Sequence, residues 1–416
     1  MIDCCSAPGL MPYAQAKSNL LNKITAVEKQ EIIGIEDCAK RVNAAIIVSP
    51  INVPAHNNSA MDGYAFNVDF AETPAQPPHS YQLVGTAMAG RPYIGELAPG
   101  QCIRIMTGAV VPDSANSVEM QENVSVNDGL VTLNQPLKLN NHIRLAGEDI
   151  QKDQQIFLPG HQFSAPDIGL LASLGIDEIA VNRKLRVAVF STGDELKSAG
   201  QVLQTGEIYE SNRHVLMAML NNMNIDVLDL GIIPDDYAQI KQAFEQADQQ
   251  ADAVISSGGV SVGDADYTKD VLEELGQIEF WKIAIKPGKP FAFGTLPNSV
   301  FFGLPGNPVS STVTFHLLAV PALIKMMGTN YTEPLLLPAT TTIDIQKRAG
   351  RMDFQRGIAQ INESGQLVVE PLPAQGSGIL SSMSKANCYI VLAQDHQGCV
   401  AGSDVSIQMF DHILRC

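Results

Sequence analysis

The stretch ADAVISSGGVSVGDADYTKDVLEELG, residues 251–276, decides the fold of this chain. Its first half is a short apolar run of strand length that breaks at Ser256, Ser257, Gly258 and Gly259. Its second half, DYTKDVLEELG, has helical periodicity and starts with an acidic residue. A buried strand, a small-residue turn and a helix form the unit of an α/β sheet. The flanks repeat it. RKLRVAVFSTGDEL reads as a strand that breaks at Ser-Thr-Gly, NRHVLMAMLNNMN as a helix, IDVLDLGIIPDD as a strand and YAQIKQAFEQADQQA as a helix. Such alternation over 183–330 predicts a parallel sheet with helices on both faces. Ligands of these sheets collect at the carboxyl ends of the strands, where all the Gly/Asp turns of this region fall.

Those turns carry chemistry. Ser257, Gly258 and Gly259 let a ligand approach the main chain, and the following helix start offers about half a positive charge to an oxyanion. Asp264 and Asp266 add hard oxygen ligands suited to Mg²⁺ beside phosphates, although helix capping explains an aspartate there equally simply. IKPGKPFAFG sets Lys286 and Lys289 around a Pro-Gly, with Pro287 and Pro290 expected to keep both lysines extended. Two cations kept together suggest an anion between them. FFGLPGNPVSS ends a strand at Pro305 and opens a helix after Pro308, with Ser310 and Ser311 near its start. FSTGDEL contributes Asp194 and Glu195, and GIIPDD contributes Asp235 and Asp236, for which capping is nearly as good an account. GEIYESNR offers Glu207, Asn212 and Arg213.

The chain of 416 residues carries 27 Lys+Arg against 44 Asp+Glu, a net charge of −17, which argues against a nucleic-acid surface. Any anion must therefore be held by local cations. No apolar run of the ~20 residues needed for a membrane span stands out and no leader is evident, so a cytoplasmic protein is expected. Seven scattered cysteines without CxxC spacing indicate neither disulfides nor a thiolate metal site.

Four regions follow from the changes of texture. AQAKSNLLNKI and CAKRVNAAIIV predict two short amphipathic helices. Residues 51–149 turn β-like, with YQLVGTAMAG, QCIRIMTG and LVTLNQPL separated by Pro/Gly/Asn turns. FLPGHQFSAPDIGLLASLGIDEIAV then returns to a helix capped by Ser164 and ending near Gly175, which makes the β-rich region an insertion. The expected organisation is a discontinuous elongated linking and dimerisation domain (1–50 and 150–182), an inserted β-rich domain (51–149), an α/β domain (183–330) and a C-terminal small β-barrel domain (331–416). The fold class is multidomain α/β plus β.

SAMDGYA, IRIMTGA, RLAGEDI, FSTGDEL, SSGGVSVGDADY, AIKPGKPFAFG, LPGNPVS and DFQRG occur in this order across most of the chain. Together they resemble the molybdopterin molybdenumtransferases, the bacterial MoeA family, and the E domain of gephyrin. The resemblance implies an α/β domain like the molybdopterin adenylyltransferases and an enzyme that takes molybdate and adenylylated molybdopterin, uses Mg²⁺ and releases AMP. It implies an elongated homodimer with the cleft between subunits, and molybdopterin adenylyltransferase as an upstream partner. Carried over by motif, molybdate is held by Lys286, Lys289, Ser310, Arg356 and Ser377, the last on a loose AQGSGI match. Asp264 and Asp266 would position the metal, Glu195 with Asp194 is a candidate for metal or pterin contacts, and Asp235 joins them as a catalytic candidate. Asp62, Thr107, Arg144, Glu148 and Asp149 form the wall from the other subunit. Without the resemblance, Asp62 reads as a turn-forming Asp-Gly and Arg144 as half of a surface ion pair. A nucleotide-dependent kinase or ligase is a rival, but GxxxxGK[ST] is absent. A non-enzymatic scaffold binding a peptide through the C-terminal domain is another.

Overall fold

The computed structural model describes residues 9–70, 79–258 and 267–415. Its centre is a six-stranded sheet in the order Asp226–Ile233, Arg186–Thr192, Ala253–Ser257, Val300–Leu304, Pro290–Thr295, Gln277–Lys282. The first four strands are parallel, as expected. The fifth, Pro290–Thr295, runs antiparallel both to Val300–Leu304 and to the edge strand Gln277–Lys282. Residues 283–289 between the last two strands are too few for the dozen-residue crossover that a parallel pair needs. Both faces are covered. Val187, Val189, Ile255 and Phe302 pack with Leu216, Leu220, Val313 and Leu317 on one side. Ala188, Phe190, Val254 and Phe301 pack with Ile240, Phe244 and Leu272 on the other. Burial on two faces is why these strands read as continuous apolar runs.

The helical run Pro308–Met326 is 19 residues long and apolar enough to cross a membrane, but 89% of it is buried inside the protein, so it is a core helix. A π-helical turn, Phe315–Ala319, interrupts it ahead of Pro321, whose ring excludes a regular i−4 bond.

The N-terminal region holds one of the two expected helices, Tyr13–Lys23. CAKRVNAAIIV is not helical. It runs extended, bridging Val42 to Gln162 and Asn43 to Val181, and ends in the strand Ile47–Val48 paired with Gln155–Phe157. Four β-branched residues (Val42, Ile46, Ile47, Val48) and the buried amide of Asn43, which bonds the Leu158 carbonyl at 2.8 Å, outweigh the helical spacing. Gln30–Gly34 pairs likewise with Glu178–Asn182, so the chain leaves this unit and returns to it. Between these passes lies a six-stranded sheet, Ser117–Met120, Gly63–Phe66, Gln101–Ile105, His79–Ala87, Leu130–Leu133, Val124–Asn127. The helix Ala165–Ser173 begins at a Ser164/Asp167 capping box and is followed by Gly175 at φ +72°.

In the C-terminal domain Met352–Ile361, Leu367–Pro371, Leu337–Thr341, Asp404–Met409 and Cys388–Leu392 close into a five-stranded barrel, the last strand pairing back to the first. Strand Ile285–Lys286 of the α/β domain adds to its side, parallel to Met352 and Asp353. That junction places the KPGKP turn against the barrel.

Candidate functional site

The carboxyl ends of the parallel strands form a crevice. Ser256 and Ser257 are buried at the end of their strand, and Gly258 follows at φ +94° with its N–H donating to the Leu304 carbonyl at 3.2 Å. A Cβ on Gly258 would lie 2.8 Å from the Thr192 carbonyl oxygen, so only glycine fits. Asn212, at the start of helix Asn212–Asn222, donates from Nδ2 to Ser257 Oγ and to the Gly306 carbonyl, both at 2.7 Å. It ties the serine turn to the turn between Pro305 and Pro308. Val309 N–H donates to the Ser377 carbonyl at 2.9 Å, so the loosely matched Ser377 does reach the helix start that carries Ser310. Gly259, Asp264 and Asp266 lie outside the described residues.

An acidic rim borders the crevice. Asp194 Oδ1 accepts the Asp235 N–H at 3.1 Å. Burial pushes the Asp235 carboxyl above its ordinary range; a backbone hydrogen bond at Asp194 opposes this, while the charges of Asp194 and Glu195 add to it. Glu195 itself is exposed. Asp236, by contrast, caps helix Tyr237–Gln250 by accepting the Gln239 N–H at 3.0 Å. Glu207 holds a turn, accepting the Gln204 N–H at 2.8 Å. Arg213 is buried against Asp229 and Glu210. Among the described residues no three His, Cys, Asp or Glu side chains converge as a metal site.

A cationic cavity of about 300 Å³ opens where strand Ile285–Lys286 meets the barrel, lined by Lys286, Gln346, Lys347, Arg348, Arg351 and Asp353. Lys286 Nζ lies 3.3 Å from Asp353 Oδ2, and Lys286–Pro287 is a cis peptide. Gly288 at φ +103° sits so close to the helix carrying Ser310 that a Cβ would meet Thr314 Oγ1 at 2.2 Å. Lys289 is half-buried, with no ion-pair partner among the described residues. Lys347, Arg348 and Arg351 are not among the residues singled out from the sequence. The signal that points to them is KRAGR, three cations in five residues of a chain with net charge −17. Lys347 is buried and donates to the carbonyls of His396 at 2.8 Å and of Arg348 and Gln394 at 3.3 Å, which fixes the loop bearing the two arginines.

Arg356 is not in this cavity. It is 1% exposed and donates from Nε to Ser382 Oγ at 3.1 Å and from Nη2 to the Gly376 and Ala374 carbonyls at 3.2 and 3.4 Å. The reason is the period of the strand. Residues two apart share a face, so Gln355 goes with Asp353 and Arg356 points the opposite way, while Arg351 lines the cavity from the bend just before the strand. Its guanidinium organises the loop that delivers Ser377.

In the inserted sheet Asp62 Oδ1 accepts both the N–H and the hydroxyl of Thr107 at 2.7 Å, the first of which contributes most to holding this carboxyl below its ordinary range. Arg144 and Asp149 are exposed, and Arg144 has no ion pair among the described residues. Glu148 accepts the Leu145 N–H at 2.9 Å. Among the described residues, no hydrogen bond or ion pair joins this group to the α/β crevice of the same chain. A larger cavity, about 880 Å³, lies at the amino ends of the parallel strands, but Arg41 and Arg183 there are consumed by Glu31 and Asp252 and it is remote from the glycine turns.

Three family models match along the chain: the MoeA N-terminal region (domain I and II) over residues 11–175, a probable molybdopterin binding domain over 188–325, and the MoeA C-terminal region (domain IV) over 338–410. A molybdopterin molybdenumtransferase of Haemophilus influenzae is 45% identical over 407 residues, 97% of this chain and 100% of that protein. The chain belongs to the molybdopterin molybdenumtransferase (MoeA) family. A Nostoc sp. relative of the same name is 31% identical over 96% of this chain and 93% of its own. The crystal structure of the molybdopterin biosynthesis MoeA protein from Pyrococcus horikoshii superposes with a TM-score of 0.83 at 28% identity, covering 96% of this chain and all of that one. Membership makes the chain a transferase, at work in molybdenum cofactor biosynthesis.

Proposed function

We propose that this transferase takes adenylylated molybdopterin and molybdate, and releases AMP as molybdenum is inserted. The observation that carries the reading is the cationic cavity at the KPGKP turn, next to the helix start of PGNPVS, in a chain otherwise short of positive charge. Molybdate is a tetrahedral dianion; lysine ammonium groups, an arginine fork and hydroxyl donors meet it with charge and directed hydrogen bonds. Lys286, Lys289 and Ser310 supply these, with Arg351 and Arg348 in the part the motif gave to Arg356, and Ser377 held in reach by Arg356. Ser257 and Gly258 offer main-chain access for the phosphates.

Mg²⁺ belongs with Asp264, Asp266 and Glu195, beside Asp235. The mutual repulsion of Asp194, Glu195 and Asp235 fits a neighbouring cation. When bound, such an ion neutralises charge on a phosphoanhydride as AMP departs. The exposed wall of Asp62, Thr107, Arg144 and Asp149, unattached to the crevice of its own chain, fits a homodimer in which a second copy presents it. A molybdopterin adenylyltransferase is the natural supplier of the substrate, and the cytoplasm the place.

The test is direct. Purified protein given adenylylated molybdopterin, Mg²⁺ and molybdate releases AMP, and Lys286→Ala raises the molybdate requirement while leaving the oligomeric state by gel filtration unchanged. ATP turnover without that substrate, or no AMP release, refutes the reading.

A further inference from the structure

We propose that Asp353 is a built-in competitor for the oxyanion, occupying Lys286 until a ligand engages enough other donors to displace it. The inference rests on the reading of the cavity as an oxyanion site. Asp353 is 2% exposed and stands on the same face of its strand as Gln355, with Arg351 in the bend just before the strand. Its Oδ2 lies 3.3 Å from Lys286 Nζ and accepts a hydrogen bond from Gln355 Nε2 at 3.1 Å. The other groups around it are cations, Lys347, Arg348 and Arg351, with Gln346 as the remaining polar side chain of the cavity.

A carboxylate among cations that receive a dianion is unhelpful to affinity. It accepts hydrogen bonds and donates none, so a fully ionised tetrahedral oxyanion gains nothing from it and is repelled. Its use lies in discrimination. With Lys286 neutralised from within, a stray sulfate meeting only part of the donor set does not repay the broken ion pair. A ligand that also engages donors on the KPGKP turn and the Ser310 helix does. Specificity of this kind comes from an unfavourable element facing the wrong ligand.

The test is anion binding by titration calorimetry on the full chain, with sodium molybdate and sodium sulfate as probes. Asp353→Asn keeps the shape and removes the charge. It should tighten molybdate about 10-fold and sulfate by more in the folded variant, and a merely structural aspartate cannot produce tighter binding when removed. In a Lys286→Ala background the gain should disappear, because the competition acts through that ammonium. Asp353→Ser serves the same purpose if the asparagine variant misfolds. Unchanged or weaker molybdate binding in the folded variants, or a gain that survives the loss of Lys286, overturns the proposal and leaves the assigned reaction standing. Absence of oxyanion binding in every variant overturns both. A tightened variant that releases no AMP supports this inference and removes the reaction alone.

Discussion

Replacing Arg356 with alanine removes a guanidinium that is 1% exposed and makes three hydrogen bonds, to Ser382 Oγ at 3.1 Å and to the Gly376 and Ala374 carbonyls at 3.2 and 3.4 Å. Burial lowers its ordinary basicity, with the charge of Asp353 opposing. Hydrogen bonds from a charged donor contribute about 1.5–3 kcal/mol each. Three from one side chain do not add, and the longest is weak. Truncating a large buried side chain costs about 2–5 kcal/mol. A loss of about 4 kcal/mol takes both effects near their lower ends. Arg351→Ala, at a half-buried residue lining the cavity, should cost less stability than Arg356→Ala. It should weaken molybdate roughly 10- to 100-fold, the worth of one or two charge-assisted bonds. Urea unfolding followed by circular dichroism gives the first quantity, and calorimetric titration of the folded protein the second. The reasoning fails if Arg356→Ala folds with native stability and loses molybdate, or if Arg351→Ala unfolds early and binds normally.

Three further outcomes are expected. Gly258→Ala should destabilise by about 1–2 kcal/mol from the left-handed backbone alone, with more from the 2.8 Å approach to Thr192, and should depress AMP release; native melting and turnover would show that the turn relaxes freely. At Asp411, burial opposes ionisation, but the hydrogen bond and charge of His316 and the N–H groups of Leu414 and Ile413 outweigh it and hold the carboxyl below its usual value. That stability is present above the unfolded value of about 3.9 and is lost as pH falls through the folded one. Asp411→Asn should therefore melt lower than the parent near neutrality, with the gap closing below about pH 4 in melts run across pH. Asp235→Asn removes one charge from the acidic rim and should raise the Mg²⁺ concentration needed for half-maximal AMP release; an unchanged requirement would place the metal elsewhere.

The contrast between legible and hidden features comes from the range over which each is determined. Strand and helix identities over 183–330 are local, because burial on both sheet faces writes itself into runs such as RVAVFST and AVISS. The antiparallel pairing of the last two strands with each other is local as well, since the short KPGKP connection forbids a crossover, and it is readable once loop length is weighed with apolarity. The extended path of residues 38–48 is not local, because its partners, Gln162 and Val181, stand more than a hundred residues away. The site divides the same way. Motifs placed Ser257, Gly258, Lys286 and Ser310 at turns that the fold does gather. A motif does not say which of two arginines five residues apart faces a cavity whose other wall comes from a different domain. Strand parity rules one of them out: once the parallel pairing of Lys286 with Asp353 is known, every second residue of the strand from Asp353 faces the same way, which turns Arg356 away and leaves Arg351, in the bend before the strand, beside Lys286.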